Sequence, residues 1–220
     1  MPRVRRRRDA SAAISAYKAA TPPSGATPWR EARYAVVDLE TTGLDPKRDE
    51  VVSFASIPIQ ESRVIVGETR ATLVRPTEMP EAETIRIHGL RPVDLAEAPT
   101  LPDVLDLMLE ALTGRLLVAH AAWVERGFLA AALKPAGLRI AEPVLDTAAL
   151  ARRVFGLEDL GEREALSLSE TARRLGLPVH SPHVAEGDAL TTAQVFLALC
   201  ARLDRSEPQT VGSLASLSKG

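Results

Sequence analysis

Asp38 and Glu40 stand two residues apart at the downstream end of Tyr34 to Leu39, a run of β-branched and apolar residues suited to a buried central strand. Side chains at i and i+2 of a strand project to one face, so both carboxylates point the same way and Leu39 the other. Two anions a few ångström apart at the rim of a low-dielectric core repel each other unless a shared proton or a cation lies between them. A hard divalent ion, Mg²⁺ or Mn²⁺, suits such oxygen ligands best. Thr41, Thr42 and Gly43 follow, two hydroxyls and a permissive backbone of the kind needed where a loop passes close to a ligand. Taken alone, the triplet reads more plainly as acids solvated just past a strand end. Its company changes that. Glu125 lies just beyond a second apolar strand pattern, and Asp188 lies near the start of a long helical pattern with His183 five residues before it. Strand ends and helix starts meet at the rim of an open α/β sheet, where such folds place their sites.

The elements that must position these groups are legible in outline. Residues 1–30 read as a mobile basic arm: RVRRRR, an Ala-rich stretch able to form a weak helix, and the breakers TPPSGATP. The Asp38 strand is followed by the turn LDPKRDE and a second strand, VVSFASIPIQ, whose proline suits an edge or a bulge. A break, ESRVIVGE, leads to a third strand in TRATLVRP, and short links among the three imply an antiparallel meander. Pro102 and Gly114 bracket a helix with Leu105, Leu109 and Leu112 on its apolar face. RLLVAH is then a fourth strand, and the helix in the crossover argues for parallel pairing. A helix from Ala122 turns Trp123, Phe128, Leu129 and Leu133 inward. LRIAEPVLDT supplies a fifth short strand ending at Asp146, which stands where a helix N-cap is expected and a metal ligand is the lesser reading. Beyond the polar loop GLEDLGERE, a helix opens at the Ser cap of SLSETARRLG and closes at Gly176. The last helix, AEGDALTTAQVFLALCARL, carries Asp188, and residues 205–220 read as a flexible tail.

Composition bounds the rest. A chain of 220 residues with 45% hydrophobic side chains can bury a full core, and one domain over residues 31–204 between two tails is the natural division. Net charge is −2, unevenly spread: residues 1–33 hold eight basic and two acidic side chains, leaving an acidic body. The basic arm is able to bind phosphates non-specifically, against the plainer reading of a solvated tail. The single cysteine, Cys200, falls in an apolar helical pattern and excludes an internal disulfide framework, which fits a reducing compartment and a core thiol. Without an apolar run of membrane-spanning length or a secretory signal, a cytoplasmic protein that avoids membranes is expected.

Three stretches in this order resemble the DnaQ-like 3′→5′ exonucleases, the DEDDh branch of the RNase H-like superfamily that includes the proofreading ε subunit of DNA polymerase III. They are VVDLETTGL, VAHAAWVERGFL and HVAEGDALTTAQVF, supported by IHGL at residues 87–90 and by LDTAALARRVF; the likeness covers roughly Tyr34 to Leu203. It implies an α/β fold with a mixed five-stranded sheet, antiparallel meander plus parallel strands, flanked by helices. It also implies two Mg²⁺ or Mn²⁺ ions held by Asp38, Glu40, Glu125 and Asp188, with His183 taking the proton from the attacking water, a task imidazole suits near neutrality. Leu44 resembles the apolar wedge pressed against the 3′-terminal base, with turn packing as its ordinary role. Thr41, Thr42 and Gly43 border the same groove, and His88 lines it or packs beneath it. The substrate implied is the 3′ end of single-stranded DNA or RNA, released as nucleoside 5′-monophosphates in proofreading or repair, with a polymerase subunit as a partner.

The second motif departs from the family pattern. Ala121 replaces an asparagine and Glu125 stands where aspartate is usual. One extra methylene displaces a carboxylate by roughly 1 Å, and Mg²⁺ demands near-ideal octahedral geometry. A second reading therefore stands beside the enzyme: a catalytically weakened or inactive module that binds nucleic acid or a polymerase partner.

Overall fold

β1 (Tyr34–Thr41) is buried along nearly its whole length, because its neighbours close both of its edges. β2 (Val51–Gln60) pairs with it antiparallel, and β5 (Leu116–Ala119) pairs parallel through Tyr34↔Leu116 to Val36↔Val118. β3 (Arg63–Val64) and β4 (Arg70–Leu73) share the far edge of β2, and β6 (Leu145–Asp146) adds parallel to β5, for the order β3-β2-β1-β5-β6 with β4 also on β2. These coordinates are a computed structural model and describe residues 12–157 and 166–218. The RVRRRR run and most of the GLEDLGERE loop lie outside the described residues.

Alternation along β1 sorts the helices into two layers. Tyr34 and Val36, with Val118 of β5, face α6 (Thr147–Phe155), α8 (Ala185–Leu203) and α9 (Val211–Leu217), meeting Leu150, Phe196, Leu199, Cys200 and Leu214. Ala35, Val37 and Leu39 face α4 (Leu101–Leu112) and α5 (Trp123–Leu133), meeting Met108, Leu112, Phe128 and Leu129. Each such fully buried aliphatic or aromatic side chain stabilises the fold by roughly 1.5–3 kcal/mol. Asp38 and Glu40 continue the even-numbered series of Tyr34 and Val36, which puts them on the α8 side of the sheet.

Local signals place the remaining elements. α2 (Ala82–His88) and α3 (Pro92–Leu95) occupy the Pro-punctuated connection after β4. α4 begins with Pro102 in its first turn and a Thr100–Asp103 capping box. α6 begins at the Asp146 cap, whose side chain accepts from Ala148 N–H at 2.8 Å. α7 (Leu168–Leu175) starts at the Ser167 cap and stops at Gly176, φ 75°. Among the described residues no helix is long and apolar enough to cross a membrane.

The two ends depart from expectation. Residues 12–19 form a helix, α1, that seats Ile14 and Tyr17 against Leu109, Leu133 and Leu138 and donates the Tyr17 hydroxyl to Arg139 O at 2.8 Å. Residues 205–218 are not a free tail. α9 buries Val211 and Leu214 beside Trp29, while Val211 N–H donates to Thr27 O at 2.9 Å and Gly212 N–H to Gly25 O at 2.8 Å. The apolar strip Val211, Leu214, Ala215 is about one turn long, too short to stand out as periodicity yet enough to dock once the arm lies alongside. Trp123 is 59% exposed rather than inward, since five residues along a helix from Phe128 is about 140° around it. β2 is paired on both edges, not an edge strand. Pro58 is tolerated because its carbonyl accepts from Ile65 N–H beyond the β4 pairing, so its missing N–H falls in a gap of the ladder.

Candidate active site

A register shift between Glu40 and Thr41 ends the regular pairing of β1 with β2 and re-aims the chain where the acids stand. The following turn is braced from three directions. Thr42 N–H donates to Glu50 O at 2.9 Å while its hydroxyl accepts from Glu50 N–H at 3.0 Å, and Thr84 of α2 donates its hydroxyl to Thr42 O at 3.1 Å. Thr41 is buried, its hydroxyl turned onto Gly43 O. Gly43 is required by close approach: a Cβ there would overlap the Asp49 carboxylate, which accepts from Asp45 N–H at 2.8 Å. Leu44 stands out of this turn, 62% exposed.

Asp188 reaches the same place from the first turn of α8. One carboxylate oxygen each from Asp38, Glu40 and Asp188 lies within 4.8 Å of the other two. Asp188 accepts from His183 N–H at 2.8 Å, and that bond, together with the nearby His183 side chain, counters part of the burial that raises the Asp188 pKa. His183 itself is exposed, with left-handed backbone at φ 62°. The loop carrying it rests on Gly187, where a Cβ would overlap the carbonyl oxygens of His180 and Ser181. Sequence reading passed over Gly187, although a glycine inside a helix, where it costs about 1 kcal/mol, is a signal of close backbone approach. His180 is held elsewhere, its ring on Gln194 at 3.2 Å.

Glu125 comes from the opposite layer, at the start of α5, and lies outside the 4.8 Å set. It is buried, and its Oε2 has no hydrogen-bond partner. Burial, reinforced by Asp146 and Glu40, pushes its pKa up to about 8. Glu40 rises to about 7 through burial and Asp188. Asp38 is raised well above the carboxylate range by burial first and then by Glu125, Glu40 and Asp188, so Glu125 is felt at Asp38 despite its separate origin. Four buried or half-buried acids raised by desolvation, three of them also by neighbouring carboxylates, behave as a site lacking positive charge, and their hard oxygen donors fit a divalent cation. The orphaned Oε2 is the observation that fits Glu125 to the same cation field.

The turn before Glu125 carries a cost of its own. Ala121 has φ 58°, a left-handed conformation that asparagine tolerates better than alanine, and it is held by donating its N–H to Asp146 Oδ1 at 3.0 Å. Asp146 is thereby occupied as a cap and clamp. His88 is buried at the end of α2; its Nδ1 accepts from Leu90 N–H at 3.0 Å, its Nε2 has no partner, and burial lowers its pKa.

Comparison with known proteins identifies the fold and the family. A "DNA polymerase III subunit epsilon-like protein" of Rhodobacter capsulatus is 35% identical over 86% of this chain, which spans 26% of that protein. The DNA polymerase III subunit epsilon of Aquifex aeolicus is 30% identical over 77% of this chain and 81% of its own length. Among solved structures, exonuclease X in complex with 5′-overhanging duplex DNA superposes with a TM-score of 0.65 at 21% identity, over 84% of this chain and 99% of that one. The nuclease domain of 3′hExo, a DEDDh family member bound to rAMP, gives 0.62 at 17% identity, over 81% and 94%. Both share the mixed sheet flanked by helices. Residues 35–196, from the second residue of β1 into α8, match the profile of the RNase T exonuclease family, and the chain belongs to that family.

Proposed function

We propose that this chain is a metal-dependent 3′→5′ exonuclease that hydrolyses the terminal phosphodiester of single-stranded DNA or RNA and releases nucleoside 5′-monophosphates. The observation that carries the reading is the convergence of Asp38, Glu40 and Asp188 from two distant elements onto one point within 4.8 Å. Asp38, Glu40 and Asp188 hold the cations, Mg²⁺ or Mn²⁺, with Glu125 reaching in from the α5 layer. Divalent ions held by these carboxylates would supply positive charge to the scissile phosphate and the leaving oxygen and make a water acidic enough to attack. His183 accepts the proton of the attacking water; its loop is tied to the site through the His183 N–H on Asp188. The Thr41, Thr42 and Gly43 backbone borders the terminal nucleotide, Leu44 offers an apolar contact to an unpaired base, and His88 closes the floor behind α2. A polymerase subunit is a natural partner, given what the relatives are, and the cytoplasm the natural compartment for a chain whose one thiol is buried and unpaired.

A 5′-labelled oligonucleotide tests this directly. Matched DNA and RNA strands should shorten in single-nucleotide steps with Mg²⁺ or Mn²⁺ and remain whole in EDTA; a strand left intact with both metals removes the enzyme. One observation favours the second reading, a module retained for binding: the family aspartate is replaced by Glu125, and that carboxylate stands apart from the other three. In that case the oligonucleotide is bound but not cut.

A further inference from the structure

β1, β5 and β6 are parallel, so their carboxyl ends share one edge of the sheet. Asp38 and Glu40 stand at that edge on β1; a second feature stands there beyond β5 and β6. It is a cavity of about 680 Å³ between α5 and α6 and bordered by α9, walled by Ala121, Trp123, Arg126, Gly127, Asp146 and Arg152 among others. Its volume falls within the roughly 300–1,000 Å³ typical of ligand sites. Nothing in the fold requires Trp123 to be here: it is 59% exposed, in a chain whose other tryptophan, Trp29, is 2% exposed. Gly127, on the same side of α5, is so close to Pro46 that a Cβ would meet the ring at 3.0 Å. The turn that projects Leu44 therefore abuts the helix that projects Trp123, and Asp146 of the cavity wall is near enough to Glu125 to raise its pKa.

The lining is chemically mixed in a specific way. It offers one large π surface and two guanidinium groups. Of its acids, Asp146 is committed to the N–H groups of Ala121 and Ala148. Glu142 is paired with Arg126 at 2.7 Å, with both side chains more than half exposed, and such pairs exchange readily for a phosphate oxygen. An aromatic platform flanked by arginines whose acidic neighbours are already paired is the chemistry that holds single-stranded nucleic acid without reading sequence.

We propose that this cavity holds the nucleotides immediately upstream of the scissile bond, one base stacked on the Trp123 indole and the backbone phosphates on Arg126 and Arg152. The inference rests on the nucleic-acid substrate proposed above and adds where the strand runs once it leaves the carboxylates. In EDTA, where nothing is cut, titration of the full chain with oligo-dT or oligo-rU of eight nucleotides should quench tryptophan emission. W123F, which keeps a ring for stacking, should bind the same oligonucleotides by competition within about threefold of wild type while losing the quench. W123A should raise KM for the labelled strand about tenfold with kcat little changed, in line with what one base stack is worth. Because Trp123 is exposed, neither substitution endangers the fold. Unchanged emission on oligonucleotide binding, or W123A with wild-type KM, overturns the cavity while leaving the nuclease intact. Quenching in a wild-type protein that cuts nothing supports the cavity, and it is then the catalytic reading that falls.

Discussion

After β1 the chain turns through Thr42 to Asp49 with its polar groups paired across the turn, to β2 and to α2. After β5 it turns through Ala121 with a left-handed alanine, one clamp from Asp146 and, at Glu125, a buried carboxylate with an unpartnered oxygen. Both turns deliver acids to one edge of one sheet. The first is closed by hydrogen bonds; the second holds a left-handed alanine and a buried carboxylate oxygen with no partner. The contrast falls where the sequence leaves the family pattern: the first motif is intact, and the second has lost its asparagine and lengthened its aspartate.

The largest effect should come from the well-built side. Asp38→Ala is expected to lower cleavage of a labelled oligonucleotide on the order of a thousandfold while leaving the fold intact, because it removes an anion that three others repel. Retained activity would break the comparison by showing that β1 does not carry the chemistry. Next, Glu125→Asp is expected to raise the Mg²⁺-supported rate about tenfold by restoring the shorter reach. A rate that falls or stays level would mean the second turn is adapted to glutamate rather than weakened by it.

Metal-free stability sharpens the contrast. Glu40 and Glu125 have folded pKa values of about 7 and about 8, above the ordinary value of 4.5, so their stabilising contribution is complete below about pH 4.5 and lost as pH rises through 7 and 8. The melting temperature in EDTA should fall across that window and recover with Mn²⁺. Glu125→Gln should restore about 5 °C at pH 8 and almost nothing at pH 4.5. Equal shifts at both pH values would show that folding does not raise the Glu125 pKa. The smallest effect belongs to the backbone: Ala121→Asn should stabilise by about 1 kcal/mol in denaturant unfolding, by suiting the left-handed conformation. No gain would mean that the Asp146 clamp already removes the strain.

Much of the site was readable because its signals are local. The i, i+2 spacing of Asp38 and Glu40, the Asp146 and Ser167 caps, the Gly176 stop and the apolar setting of Cys200 each depend on a few neighbouring residues and on backbone geometry alone. The resemblance added Asp188 and His183, whose contact, a backbone N–H on a carboxylate, is again local to one helix start. The docked ends were not readable. α9 has about one turn of apolar surface and residues 12–19 little more, and such strips acquire meaning only beside Trp29 or Leu133. Trp123 was misplaced because it was grouped with Phe128 by hydrophobicity rather than by angle.

By itself the sequence determined the kinds of element, the acids they carry and the face of β1 from which two of those acids project, since strand and helix periods follow from covalent geometry. Only the tertiary structure decided that Glu125 arrives from the other layer, that Gly187 seats the His183 loop, and that Trp123 opens onto a cavity at the shared edge. Those outcomes depend on which layers meet and on how buried charges share one low-dielectric space, and neither is a property of any short stretch of chain.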